Sequence, residues 1–112
     1  MTVFEKIAAG QIPARMVYEA VDFIAFHDVT PVAPVHVLIV PRVCIPRVAL
    51  AGAEQADLLG RMLLATRDVA ESLGVLESGY RLVINNGSDA GESVPHLHIH
   101  LLAGRALEWP PG

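Results

Sequence analysis

A single cysteine, Cys44, among 112 residues leaves no partner for an intrachain disulfide. That excludes a disulfide-framed secreted scaffold and suits a reducing, cytoplasmic setting. Basic residues are also scarce, 8 Lys+Arg against 12 Asp+Glu for a net charge of −4, and none falls between Leu82 and Gly104. A chain without a basic face cannot neutralise several phosphates together, so duplex nucleic acid is not expected as a partner. Long apolar runs are missing too. The longest, Ile45 to Ala53, is interrupted by Pro46, Arg47 and Gly52, well short of the ~20 residues of a membrane span. The opening Met1 to Lys6 lacks the basic-then-apolar pattern of a secretory signal. Neither membrane insertion nor export is expected. What the chain does have is 53% hydrophobic residues. At this length that supports one domain, residues 1–112, burying roughly two-thirds of its unfolded surface without staples.

Thr2 followed by Glu5 is a capping-box pattern, and it predicts a short helix from Val3 to Ala9 with Val3, Phe4 and Ile7 on its apolar face. Gly10 ends that helix and Pro13 prevents its resumption. Met16 to Glu19 and Phe23 to Asp28 read as a β-hairpin, and His36 to Val40 as an interior strand ending at Pro41. From Ala53 to Leu73 the residues Leu58, Leu59, Met62, Leu63, Thr66, Val69, Ala70 and Leu73 recur at helical spacing, closed by Gly74. Arg81 to Asn85 and His96 to Ala103 read as two further strands flanking a polar loop. With too few helical crossovers for a parallel sheet, the class is α+β with an antiparallel sheet.

His96, His98 and His100 alternate with Leu97, Ile99 and Leu101. On a strand this places three imidazoles on one face, about 7 Å apart, and three aliphatics on the other. His36 shares a face with Leu38 and Val40, and joins the histidine row if the two strands are neighbours. The loop from Asn86 to Val94 has two glycines that let backbone N–H groups approach an anion, and Ser93 adds a hydroxyl. Such a row can serve nucleophilic and proton-transfer chemistry. It can also chelate a transition metal, with Glu92, His36 or Asp28 completing the shell.

The run His96-Leu97-His98-Ile99-His100-Leu101-Leu102 resembles the His-φ-His-φ-His-φ-φ signature (φ, apolar) of the histidine triad (HIT) superfamily. The likeness extends through Thr2-Val3-Phe4 with Ile12-Pro13, Phe26-His27-Asp28, Ala33-Pro34 with His36, Tyr80-Arg81, Gly87-Ser88-Asp89 and Trp109-Pro110-Pro111-Gly112. These are similar to the Hint branch, the histidine triad nucleotide-binding proteins. The resemblance implies a five-stranded antiparallel sheet with one long and one short helix, pairing into a ten-stranded sheet in a homodimer through the long helix and adjacent strands. It implies a nucleotide hydrolase or transferase that cleaves a P–N or P–O bond at the α-phosphate of a purine nucleotide, AMP or GMP derivatives, through a nucleotidyl-histidine, with a phosphoramidate hydrolase the leading expectation.

Carried over by position, His98 matches the nucleophile and His96 and His36 the supporting histidines. His100 matches the residue that positions the phosphate and helps protonate the leaving group. By the same resemblance Asp28 holds the ribose hydroxyls. Val3, Phe4, Ile7, Ile12, Phe26 and Leu38 enclose the base, and Asn85, Gly91, Glu92 and Ser93 belong to the ribose- and phosphate-binding loop. The tail, residues 104–112 with Trp109, reaches the neighbouring active site. The expected substrate is a purine nucleoside monophosphate or its phosphoramidate. The alternatives in view are a non-catalytic nucleotide-binding or protein-interaction module and a dinucleoside polyphosphate hydrolase; the lack of cations from Leu82 to Gly104 weighs against a long polyphosphate.

Two positions depart from the family pattern. Glu92 stands where glutamine is usual, and an ionised carboxylate accepts hydrogen bonds but cannot donate them to a phosphate. The expectation is that Glu92 either pairs with a cationic group on the leaving amine or weakens phosphate binding. Some relatives carry a structural zinc on an N-terminal Cys-x-x-Cys and a mid-chain histidine; here Thr2, Glu5 and Cys44 occupy those places, so no metal or other cofactor is expected.

Overall fold

Glu5 N–H donates to Thr2 Oγ1 at 3.1 Å and Thr2 N–H to Glu5 Oε1 at 2.9 Å, so the capping box is formed. It starts α1, Val3–Ala8, in the computed structural model, which describes residues 1–112. The strands are β1 (Met16–Glu19), β2 (Phe23–His27), β3 (Val35–Pro41), β4 (Tyr80–Val83) and β5 (Ile99–Ala103), and the long helix is α2 (Ala56–Ser72). They form one antiparallel sheet in the order β1-β2-β3-β5-β4. The expected α+β architecture of five strands, one long helix and one short helix is therefore present.

Each face of the sheet covers a different core. Val37 and Ile39 of β3 and Ile99 and Leu101 of β5 pack with Met62, Val69 and Ala70 of α2. On the opposite face Phe4 and Ile7 of α1 pack with Ile24, Phe26, Leu38 and Val40. The period-2 alternation of the strands thus feeds two helices on two sides.

Three elements differ from the sequence expectation. The last strand begins at Ile99 rather than His96. Past the Ile39–Ile99 pair the ladder would next meet Pro41, which has no N–H, and Leu97 N–H donates instead to Ile45 O at 2.6 Å. The fourth strand stops at Val83, leaving Asn85 in the loop. The α-helical part of the long helix starts at Ala56, after a single 3-10 turn at Ala53–Gln55. Leu63, assigned to its apolar face, is 48% exposed, and so is much of its neighbour Leu64. At the end of β5, Gly104 has φ +94°, and a Cβ there would fall 2.7 Å from Pro34 Cβ; only glycine lets the chain turn this close to the β3 entry.

Candidate active site

Because β3 and β5 are neighbours, with Leu38 opposite His100, His36 does join the histidine row. The His36 and His100 ring centroids are 5.2 Å apart and those of His98 and His100 4.8 Å. The His98–His100 separation is shorter than the ~7 Å of an ideal strand, and His98 lies just outside the ladder, which ends at Ile99. His98 and His100 open on a pocket of about 320 Å³ lined also by Val3, Phe4, Ile7, Ile12, Phe26, Asp28, Leu38 and Ser93. Pro13, Ala14, His27, Val29 and Val94 complete its wall. None of these five is among the site residues expected from sequence, although Pro13, His27 and Val94 belong to segments named there; each lies within two positions of an expected site residue. His36 and His96 are buried. Asn85, Gly91, Glu92 and Trp109 do not line this pocket, and Trp109 is 80% exposed beneath the Arg81 guanidinium.

Hydrogen-bond partners fix the tautomer of each ring. His98 Nδ1 lies 2.7 Å from the His96 carbonyl, which only accepts, so Nδ1 carries the hydrogen and Nε2 keeps its lone pair. His96 Nε2 lies 2.7 Å from the Pro41 carbonyl and donates; its Nδ1 therefore accepts the Thr2 hydroxyl at 2.7 Å. Val32 N–H donates to His36 Nδ1 at 3.1 Å, which puts the His36 hydrogen on Nε2, 2.9 Å from His100 Nδ1. His100 then carries its own hydrogen on Nε2. The pocket thus pairs a free imidazole lone pair on His98 with an N–H donor on His100.

Burial favours the neutral form of His36, His96 and His100. It lowers the proton affinity of His36 and His96 below the usual histidine range. His100 is pushed down to about 4, by burial first and then by the imidazoles of His98 and His36, with Asp28 opposing. Asp28 accepts Thr30 N–H on one oxygen at 2.8 Å, and its other oxygen is 3.4 Å from His36 Nε2. The carboxylate remains at the pocket wall, steadied from behind.

Glu92 is not free to meet a substrate cation. Its two oxygens take Arg47 Nε and one terminal nitrogen of the same guanidinium, both at 2.9 Å, and one of them also takes Gly87 N–H at 3.0 Å. Arg47 and that N–H hold its carboxyl at about 2. Nearby, Ala49 N–H donates to Asn86 Oδ1 at 2.8 Å, so residues 47–49 tie down both ends of the loop before His96. Arg47 supplies the cation that the loop and last strand lack. From sequence it was visible only as a break in an apolar run.

Two sets of donor atoms lie within 4.8 Å of one another, Glu5 with Cys44 and His96, and Asp28 with His36 and His100. In the first set Glu5 already accepts Thr2 N–H and His96 Nδ1 the Thr2 hydroxyl. In the second, one hydrogen bond joins the two imidazoles.

Residues 9–107 match the HIT domain. The chain belongs to the HIT domain family. An uncharacterised HIT-like protein of Synechocystis sp. is 49% identical over 99% of this chain and 96% of its own length. The structure of a HIT family hydrolase from Legionella pneumophila superposes with a TM-score of 0.96 at 42% identity, covering both chains fully. A histidine triad nucleotide-binding protein from Candida albicans gives a TM-score of 0.84 at 29% identity, covering 98% of this HIT chain and 83% of that one. No helix of this HIT protein is long and apolar enough to cross a membrane.

Proposed function

We propose that this HIT protein is a cytoplasmic purine nucleoside phosphoramidase of the Hint type, with His98 as nucleophile. The observation that carries the reading is the pairing of tautomers, in which the His96 carbonyl holds the Nδ1 hydrogen of His98 and leaves its Nε2 lone pair beside a nucleoside-sized apolar pocket. The likeness to the Legionella hydrolase and the Candida nucleotide-binding protein supports it.

A purine sits among Val3, Phe4, Ile7, Ile12, Phe26 and Leu38, its ribose hydroxyls on Asp28, with Ser93 and the N–H of His100 at the phosphate. Asn85, Gly91 and Glu92 shape the loop behind Ser93. His98 Nε2 forms a bond to the α-phosphorus as the P–N bond to the amine breaks. The departing nitrogen takes up one proton, drawn from solvent through His100. Water then attacks phosphorus, the P–N bond to His98 breaks, the nucleoside monophosphate leaves, and the water's proton returns to solvent. Transition-state charge on the phosphoryl oxygens is met by fixed N–H donors.

Adenosine 5′-phosphoramidate incubated with the protein is expected to release AMP at the same rate with and without a chelator. A rate that collapses with chelator and returns with zinc would replace this mechanism by a metal-dependent one. Nucleotide binding without any release would favour a binding module.

We further propose a homodimer in which α2 and β4 meet their symmetry mates and the tail, residues 104–112, reaches the partner's pocket. Its support is the apolar exposure of Leu63 and Leu64 on α2 and of Ile84 and Trp109. Light scattering at micromolar concentration is expected to give twice the chain mass; a monomer would end the dimer proposal and the tail's role with it.

A further inference from the structure

We propose that Thr2 is a positioning residue for the nucleophile, acting through His96; the inference rests on the His98 reading above. Thr2 Oγ1 has two partners. It accepts Glu5 N–H at 3.1 Å and lies 2.7 Å from His96 Nδ1. Since His96 donates its Nε2 hydrogen to the Pro41 carbonyl, Nδ1 is an acceptor and the Thr2 hydroxyl must be its donor. Both nitrogens of a fully buried ring are thereby fixed. The backbone of the same residue presents the carbonyl that holds His98 Nδ1 at 2.7 Å.

A buried imidazole with two obligatory partners is a costly way to fill a core that an aliphatic side chain would fill at less risk. Here the ring acts as a peg. Pinned at both ends, it sets the position of its own peptide, and that peptide sets the tautomer and direction of His98. The cap contributes a second time, because the helix it starts carries Phe4, whose ring meets His96 and His98 edge-on at 5.6 and 5.0 Å. The link between Thr2 and His96 crosses 94 positions of sequence.

The competing account is that Thr2 only caps α1, and three variants separate the two. Thr2→Ser keeps both the cap acceptor and the hydroxyl donor, and is expected to retain kcat within about twofold. Thr2→Asp keeps a cap acceptor of equal quality, but an ionised carboxylate cannot donate to His96 Nδ1; the ring can bond it only by taking a proton, and the positive charge then held next to His98 disturbs the nucleophile that the neutral ring positions. Thr2→Val loses both. For Thr2→Asp and Thr2→Val, kcat on adenosine 5′-phosphoramidate is expected to fall about tenfold or more, since small misplacements of reacting groups are costly, while KM moves less than about twofold. Ring 15N spectra should show His96 Nδ1 unprotonated in wild type and protonated in Thr2→Asp.

Wild-type kcat in Thr2→Asp, or a protonated Nδ1 in the wild-type protein, overturns the positioning role. His98→Ala run alongside keeps the two claims apart. If that variant is inactive while Thr2→Asp and Thr2→Val turn over normally, only the role of Thr2 falls; if it retains turnover, the nucleophile reading falls first and takes this one with it.

Discussion

Replacing His98 with alanine is expected to lower phosphoramidate turnover about 10⁴-fold or more while AMP affinity stays within a few-fold. The size follows from the role, since loss of an attacking group removes the covalent route entirely and leaves only binding and fixed dipoles to act. The specificity follows from the geometry. The pocket wall proposed for the base is built from α1, β2, β3 and Ile12 in the link after α1, and none of it hangs on the His98 ring except Phe4, which touches it edge-on at 5.0 Å. Because the ring also fills space beside Phe4, His98→Gln is the better-packed companion, and its amide can still donate to the His96 carbonyl. Pre-steady-state quenching should find a nucleotidyl adduct on the wild-type protein and none on either variant. Turnover above about 1% of wild type in both would mean that another group attacks phosphorus.

The second large effect is expected at Arg47. Arg47→Met leaves the Glu92 carboxylate, only 11% exposed, with Gly87 N–H as its single partner, and an uncompensated negative charge then sits one residue from Ser93. Repulsion of the incoming phosphate is expected to reduce kcat/KM about tenfold to a hundredfold. The sign of the pH response is fixed. With Arg47 in place the carboxyl stays ionised down to about 2; without it the carboxyl gains affinity for protons, and protonation cancels the offending charge. The rate of the variant relative to wild type should therefore rise as pH falls from 7 toward 5. Glu92→Gln added to Arg47→Met should recover most of the loss, because an amide oxygen still accepts Gly87 N–H and carries no charge. A double variant as slow as Arg47→Met alone would show that Arg47 acts on substrate directly and not through Glu92.

Much of the fold was legible because its signals are periodic. The alternation from His96 to Leu101 assigned three aliphatics to one face and three imidazoles to the other, and Leu97, Ile99 and Leu101 do enter the α2-side core. The Thr2–Glu5 box marked the start of α1 to the residue. What periodicity could not carry was pairing across distance. Arg47 and Glu92 are 45 positions apart, and His36 and His100 are 64 apart. Nothing local distinguishes Arg47 from any other surface arginine. The late start of β5 was hidden for a similar reason, as the proline that stops its ladder belongs to β3 and the competing acceptor is Ile45. Leu63 fits the helical period of α2, but a period does not state how wide the covered stripe is.

The sheet covers one core with α2 and another with α1, and the pocket opens only on the α1 side. The two sides are therefore open to change at different rates. The fourteen buried residues on the α2 side contact no bound nucleotide in the arrangement described, so they can hold the fold while Ile7, Ile12, Phe26 and Leu38 are exchanged for side chains of other shapes. Such a molecule can be retargeted to a different base or leaving group without renegotiating its foundation.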